Sequence, residues 1–599
     1  MFSSRRAVAP LVLLAITGLA TACGGDSTSP PSQTNNGSGP EAPKPITDVT
    51  ATAVSISTIR VTFTARSTDN SYSLERAEGS GSFSAITSIP APGTITTLTY
   101  TDANLKQGTQ YRYRVIAIAN GLSSSPSSES SATTLVTPTG GSGAADITGD
   151  ITASRTLRAD TTYTLKGFIH VTNGATLTIQ AGTVVKGDFN TVGSALYVMR
   201  GAKIQAIGTA DAPIVFTSSR PAGARQPGDW GGIVIVGNAP INRTGSIVLD
   251  GTGSDGATQA SGKNYQIVYS GGSSPADNSG TLSYVRVEFA GYAPLGGTSG
   301  SGFTFAAVGS ATHVSYLQSV ASAGDGFKFL GGAPDGDHLV AYESGDDMFS
   351  MADGFSGRLQ YLLGYNAPSG LTARSGSAGA SADAQGIESD GCNGAGCDNG
   401  FNQQPFTVPL VANFTLVGCG VTGCAGANGG LGLLLRRGSG GLYVNGVESR
   451  FPAAALSMRD LETFVRAGSV ATPDLSKTDL ALRNIYFTEV NNTPFQIGTL
   501  PTLPPQFALD LQSNALVLGS AISQSLFAAL PTPTTTPADA SALDWTPSGP
   551  SVIASGGMAS FSGRILERAG SFVTATTYRG AADPSGAKWW TKWTVYVRS

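Results

Sequence analysis

Charge is scarce in this chain. Lys, Arg, Asp and Glu make up 13% of the 599 residues, the formal net charge is −4, and histidine occurs 3 times. So weakly charged a surface offers no basic stripe for nucleic acid, and the acidic excess is too small to imply a charged partner. Cysteine is rare too, at 5 residues, while the 78 glycines follow no three-residue period, which excludes a collagen-like helix. No Gly-rich phosphate loop, Ser/His/Asp order or metalloprotease His pair occurs, and the best helix candidate is one short stretch, Met458 to Arg466. The apolar run at the start, Ala7 to Ala20, is too short to span a bilayer.

Arg5 and Arg6 precede that run and Leu19-Ala-Thr-Ala-Cys23 closes it, the order of an export signal over residues 1–22. A Cys directly after small residues resembles the lipobox of bacterial lipoproteins, although Ala20 stands where Leu is commoner. The resemblance implies that Cys23 is lipidated as the first mature residue and holds the protein to a membrane. It places the protein in the bacterial cell envelope as an outer-membrane lipoprotein, periplasmic or surface-exposed. The other cysteines, Cys392, Cys397, Cys419 and Cys424, form two pairs with the same internal spacing, and an even set in an exported chain reads as disulfides. Local loops and staples between neighbouring turns of the chain fit equally well. A four-thiolate zinc site is the alternative.

Residues 23–44 are Ser, Gly, Pro, Asn and Thr with hardly an apolar side chain, the composition of a flexible tether. Over residues 45–138 the pattern changes to alternation with period two, as in Ile59-Arg-Val-Thr-Phe-Thr64 and Tyr111-Arg-Tyr-Arg-Val-Ile-Ala-Ile-Ala119, which predicts half-buried strands. With Leu105, Gly108-Thr109, Tyr111, Val115, Ala117 and Ser123-Ser-Ser-Pro-Ser127, this stretch resembles a fibronectin type III domain. The resemblance implies a β-sandwich in which Tyr111 ties a loop back to the sheet; Phe63 stands where such domains usually bury Trp. A linker over 139–145 leads into the large region, 146–599.

That region repeats a short apolar strand and a Gly-rich turn with no helix between. Gly174-Ala-Thr-Leu-Thr-Ile-Gln-Ala-Gly-Thr-Val-Val-Lys-Gly187 is followed by Gly201-Ala-Lys-Ile-Gln-Ala-Ile-Gly208 and by Gly228-Asp-Trp-Gly-Gly-Ile-Val-Ile-Val-Gly237. Such repetition predicts a solenoid whose coils bury apolar side chains against one another. Gly201 to Ser218, Pro227 to Val236 and Ser279 to Gly291 together resemble a family of exported lipoproteins, which implies a right-handed parallel β-helix and no assigned reaction. The expected fold is all-β: a fibronectin-type sandwich, then the β-helix.

Chemistry concentrates where acids do. Asp325 and Asp346 lie 21 residues apart, each after a Gly and shortly before an aromatic, so the spacing predicts that they stack on successive coils, joined by Asp347 and by a further tier of Glu388 and Asp390. Together with Asp353 these carboxylates are candidate calcium ligands. Asp325, Asp346 and Asp347 are equally candidate acid–base residues, in an arrangement similar to polygalacturonase-type glycosidases but without that family's Gly-His-Gly and Arg-Ile-Lys motifs. A lyase would need a base and a cation near the acids, and Lys328, Tyr342 and Arg358 are nearby in sequence. The plainer reading makes the acids corner residues that satisfy turn N–H groups. Asp229 and Trp230 suit sugar binding if exposed and packing if not. The expected function is a lipid-anchored envelope protein whose β-helix binds polysaccharide along an open face repeating every 4.8 Å or so, or serves as an adhesive module. The alternative is a polysaccharide lyase or glycoside hydrolase acting through the face from Asp325 to Asp390.

Overall fold

A computed structural model describes residues 41–599 except 54–57, 107, 135–142, 250–251, 253–265, 295–297, 299, 369, 421–428, 468–477, 492–493, 499–514, 532–542 and 550. The export signal, Cys23, most of the tether and Cys424 therefore lie outside the described residues. Two compact units part near Ala132.

In the N-terminal region, Ser71–Glu78, Ser84–Pro90, Gln110–Ala119, Leu122–Ser123 and Ser130–Thr133 form one sheet, and Thr50–Ala53, Ile59–Ala65 and Thr96–Asp102 another. The period-two alternation explains them: in Gln110–Ala119 every second side chain, from Tyr111 to Ala119, is buried. The Lys106 N–H donates to the Tyr111 hydroxyl at 3.0 Å. Phe63 is buried and meets Tyr72 edge-on at 5.0 Å.

The C-terminal region is a β-helix with two long parallel sheets, one of 17 described strands and one of 10. Its first strand, Gly143–Ile147, pairs with Thr161–Leu165, so the coils begin within the segment expected as linker. In the ten-strand sheet one inward row runs in register through Ile169, Leu196, Ile233, Phe303, Phe327, Phe349, Ile387, Leu433, Leu456 and Phe495. The phenylalanines stack at 5.2 and 5.3 Å, and each fully buried ring contributes about 1.5–3 kcal/mol. One side chain per coil at one height is what a repeated apolar strand requires.

The long sheet bends where Tyr284, Tyr316, His338 and Tyr361 hold positive φ, from 51° to 62°. Bulky residues avoid that conformation unless the surroundings impose it. Here their rings stack at 4.3, 4.3 and 4.8 Å along the coils, and Trp589 and Trp593 of the last segment close on them edge-on. That segment runs back over the sheet. Helix Gly563–Ala569 packs Ile565 and Ala569 on Leu410, Ala412, Leu442 and Val444, while Gln318 exchanges hydrogen bonds with Val595. The expected helix from Met458 to Arg466 is shorter: Met458 ends a strand, Asp460 accepts from the Thr463 N–H as N-cap, and Leu461–Arg466 is helical. Among the described residues no helix is long and apolar enough to cross a membrane.

Candidate functional site

Four consecutive strands of the ten-strand sheet, Phe327–Gly332, Phe349–Ala352, Ile387–Asp390 and Leu431–Arg436, carry the acidic region. Their outward positions are set by the inward ones: with Phe327, Phe349 and Ile387 facing the core, Lys328, Ser350 and Glu388 must face out, in register with one another. Leu330, Ala352, Asp390 and Arg436 face out two residues on.

The corner just before these strands does not stack as its spacing predicts. Phe327 pairs with Phe349, a step of 22 residues, so Asp325 lies beneath Asp347, and the Asp346 N–H bonds instead to the Gly324 carbonyl. The result is a ladder of side chain to backbone. Ser301 Oγ donates to Asp325 Oδ2 at 3.1 Å; Asp325 Oδ1 accepts from the Asp347 N–H at 3.2 Å, and Asp347 Oδ1 from the Gln385 N–H at 2.8 Å. Gln385 Oε1 then accepts from the Leu431 N–H at 2.8 Å. Asp325 and Asp347, 2% and 1% exposed, thus satisfy the corner N–H groups of the next coil, while Asp346, one residue away, is partly exposed. Glu388 stacks on Ser350 and Lys328, not on the corner acids.

Carboxylate oxygens of Asp325, Asp346 and Asp347 nevertheless lie within 4.8 Å of one another. Burial, then the charge of Asp325, pushes the Asp346 carboxyl up to about 8. Burial, with Glu388 and Asp346 nearby, raises Asp347 well above the usual range. Glu388 itself is pushed up to about 7 by burial and by Asp390. Cations stand close by: Lys328 Nζ is 3.1 Å from Asp325 Oδ2, Arg436 pairs with Glu388 and with Asp390 (2.8 Å), and Arg437 pairs with Asp390. Burial raises Asp353, which accepts from the Tyr269 hydroxyl and lies 3.6 Å from Arg243.

Apart from the buried Asp325 and Asp347, these groups line one cleft of about 280 Å³, with Lys328, Ser350, Glu388 and Asp390 on its floor and Arg243, Tyr269, Ser381 and Arg437 among its walls. Of the six candidate calcium ligands, Asp325, Asp346 and Asp347 converge, with the Lys328 ammonium already against Asp325; Asp353, Glu388 and Asp390 each face an arginine. Sequence reasoning missed Arg243, Tyr269, Arg436 and Arg437. Paired arginines ending the apolar run Leu433-Leu-Leu-Arg-Arg437, in a chain so poor in charge, were the available signal; nothing local marks Arg243 or Tyr269.

Other candidates fall elsewhere. Trp230 is 0% exposed, stacks near Phe216 at 6.3 Å, and donates from Nε1 to the Glu288 carbonyl at 2.8 Å. A Cβ on Gly187 would collide with the Trp230 side chain, so that glycine is what lets the indole pack on the neighbouring coil. Asp229 is equally buried and accepts from Ser218 Oγ at 2.6 Å. The expected sugar contact by Asp229 and Trp230 is thereby corrected: neither reaches water. Arg358, on the long sheet, pairs with Asp335 and lies 5.2 Å over the Phe572 ring, away from the cleft lining. Cys392 and Cys397 form a local disulfide, which leaves them no thiolate for zinc, and Cys419 is also disulfide-bonded.

A family model described as a pectate-lyase-like β-helix domain matches residues 149–515, more than half of the chain. The chain belongs to that family. Solved structures with which it is similar include a family 28 exopolygalacturonase from Yersinia enterocolitica, at 14% identity over 77% of this chain and 84% of that one, with a TM-score of 0.15. An Fn3-like protein from Clostridium thermocellum is 29% identical over 15% of this chain and 92% of that one, with a TM-score of 0.14. The sixth fibronectin type III domain of a human protein is 22% identical over 16% of this chain and 92% of that one, also at 0.14. No curated protein matches the chain.

Proposed function

We propose that the pectate-lyase-like β-helix engages polysaccharide in the charged cleft and cleaves it by acid–base chemistry. Asp346 carries this reading: a partly exposed carboxyl lining the cleft, held protonated at neutral pH, with Glu388 on the same floor. In a hydrolase Asp346 would give its proton to the leaving oxygen while ionised Glu388 takes one from water. Asp325 and Asp347 are positioning residues, because both oxygens of Asp325 and Oδ1 of Asp347 are taken up by the corner ladder and neither residue lines the cleft. The test is a panel of polysaccharides assayed for retention and for release of reducing or unsaturated ends. Release abolished in Asp346→Asn supports the reading; no release from any member ends it. The pH profile follows from the two carboxyls. Activity should rise as Glu388 ionises near pH 7 and fall as Asp346 loses its proton near pH 8, giving a maximum between them rather than near pH 4.

Binding without cleavage is the second reading, favoured by the arginines that face Glu388, Asp390 and Asp353 and by the ladder that occupies two of the three converging acids. Retention without release would select it. Calcium would join either reading only by displacing Lys328 from Asp325. The N-terminal region would serve as a fibronectin-type spacer, and Cys23 as the lipid anchor in the bacterial envelope. Cys23→Ser should then release the protein from membranes, and persistent membrane fractionation would contradict the anchor.

A further inference from the structure

We infer that the cleft receives the end of a carbohydrate chain and not its interior, and that the flanking segments 238–249 and 266–270 impose this limit. The inference rests on the proposed engagement of polysaccharide and adds to it where along the chain the protein acts.

A polymer that binds through its middle needs a groove open at both ends. The outward row of the ten-strand sheet is not such a groove. On earlier coils it is buried at Tyr197, Val234 and Thr304; on later ones it is buried again at Leu434, 0% exposed, and Ser457. Between these it reaches water at Lys328 and Glu388, and beyond them only at the two ends of the row, at His170 and Gln496. From Lys328 to Glu388 the open stretch covers three strands and two interstrand steps, about 9.5 Å in all.

The earlier coils are covered by the two flanking segments. Their Ile241, Ile247, Leu249, Ile267 and Tyr269 pack on the outward Tyr197, Val234, Val236, Ala306 and Leu330. The cover is also hydrogen-bonded in place. Ala239 N–H donates to the Ala307 carbonyl at 2.7 Å, Asn242 N–H to the Asp353 carbonyl at 2.9 Å, and the Tyr269 hydroxyl to the Asp353 carboxylate. A chain laid along the coils would run into Leu249 and Tyr269. One laid across them would meet Ser381 and Asp383 on one loop and Arg243 and Asn393 on others, all of which line the cleft. At about 280 Å³ the space is near the small end of ligand pockets, enough for a short terminal piece.

The full-length protein should be tested on polygalacturonate, alginate and xylan, each as polymer and as di- to hexasaccharides. Chain-end action predicts products of one short length from the first time point, slow loss of viscosity, and an affinity that levels off by the trisaccharide. Early products of many lengths, or an affinity still climbing about tenfold from tri- to hexasaccharide, would overturn the inference while leaving polysaccharide engagement intact. Neither binding nor cleavage of any probe would end both. In the double variant Leu249→Ser, Tyr269→Ala, with its fold checked by circular dichroism and melting, the opened wall should admit longer oligosaccharides. A folded variant with unchanged length preference would also overturn it.

Discussion

Two sets of carboxylates on neighbouring coils of the ten-strand sheet, divided between the adjacent residues Asp346 and Asp347, meet different fates. Asp325 and Asp347 point into the corner and bond to the next coil's backbone, whereas Asp346 and, on the strand above, Glu388 face the cleft. All are acids on the same few coils. Register decides which is a fastener and which is free for chemistry, because a shift of one residue moves a side chain to another face.

Breaking the fastener should have the largest effect on stability. Asp325 is buried, paired with Lys328, and an acceptor for Ser301 and the Asp347 N–H. Asp325→Ala strands all three partners and should cost about 3–5 kcal/mol, read as a lower denaturation midpoint at unchanged slope. A midpoint unchanged from the parent would mean that the ladder contributes nothing.

A second buried acid sharpens the contrast, since it has no partner to fasten. Glu448 lies in register between the inward-facing Leu416 and Phe487, is 0% exposed, and packs against Gly432, where a Cβ would collide with its carboxylate. Among the described residues neither of its carboxylate oxygens has a hydrogen-bond partner, and burial raises its pKa well above the ordinary value of 4.5. The native state therefore keeps this proton to higher pH than the unfolded chain does, and stability falls as pH rises above about 4.5. Glu448→Leu, continuing the apolar row, should stabilise the protein by about 1–3 kcal/mol at pH 8 and by less at pH 4. Destabilisation at both pH values would show that the carboxyl has a partner after all.

The smallest expected effect concerns Lys328. Its ammonium supplies the positive charge beside Asp325 that a divalent ion would otherwise bring. Lys328→Gln should make the melting temperature rise with millimolar calcium more than it does in the parent, since an ion bound only by the native state stabilises it. An equal response in both proteins would mean that the lysine does not compete for the site.

The inward rows were legible because period two repeats on every coil: Leu177, Ile204 and Leu282 announce their side of the strand without help from the rest of the chain. Tyr111 and its loop were legible for the same reason, being local. Register between coils was not. The step from Phe327 to Phe349 is short, but Phe349 pairs next with Ile387 and Ile387 with Leu433, so excursions of very different length separate neighbours in space. Spacing alone consequently put Asp346 over Asp325. The cleft walls were hidden for the same cause, since Arg243 and Tyr269 reach the acids only through a long excursion; for Trp230 the sequence offered both packing and sugar contact, and its packing holds because Gly187 of the preceding coil makes room for it.

The most direct test of the division between fastener and chemistry is to compare Asp346→Asn with Asp347→Asn in melting and in release of polysaccharide ends. Asp346→Asn should melt like the parent and release ends at least about a hundredfold more slowly, since an amide cannot act as general acid. Asp347→Asn should lower the melting temperature. Full release by a well-folded Asp346→Asn protein would contradict the account.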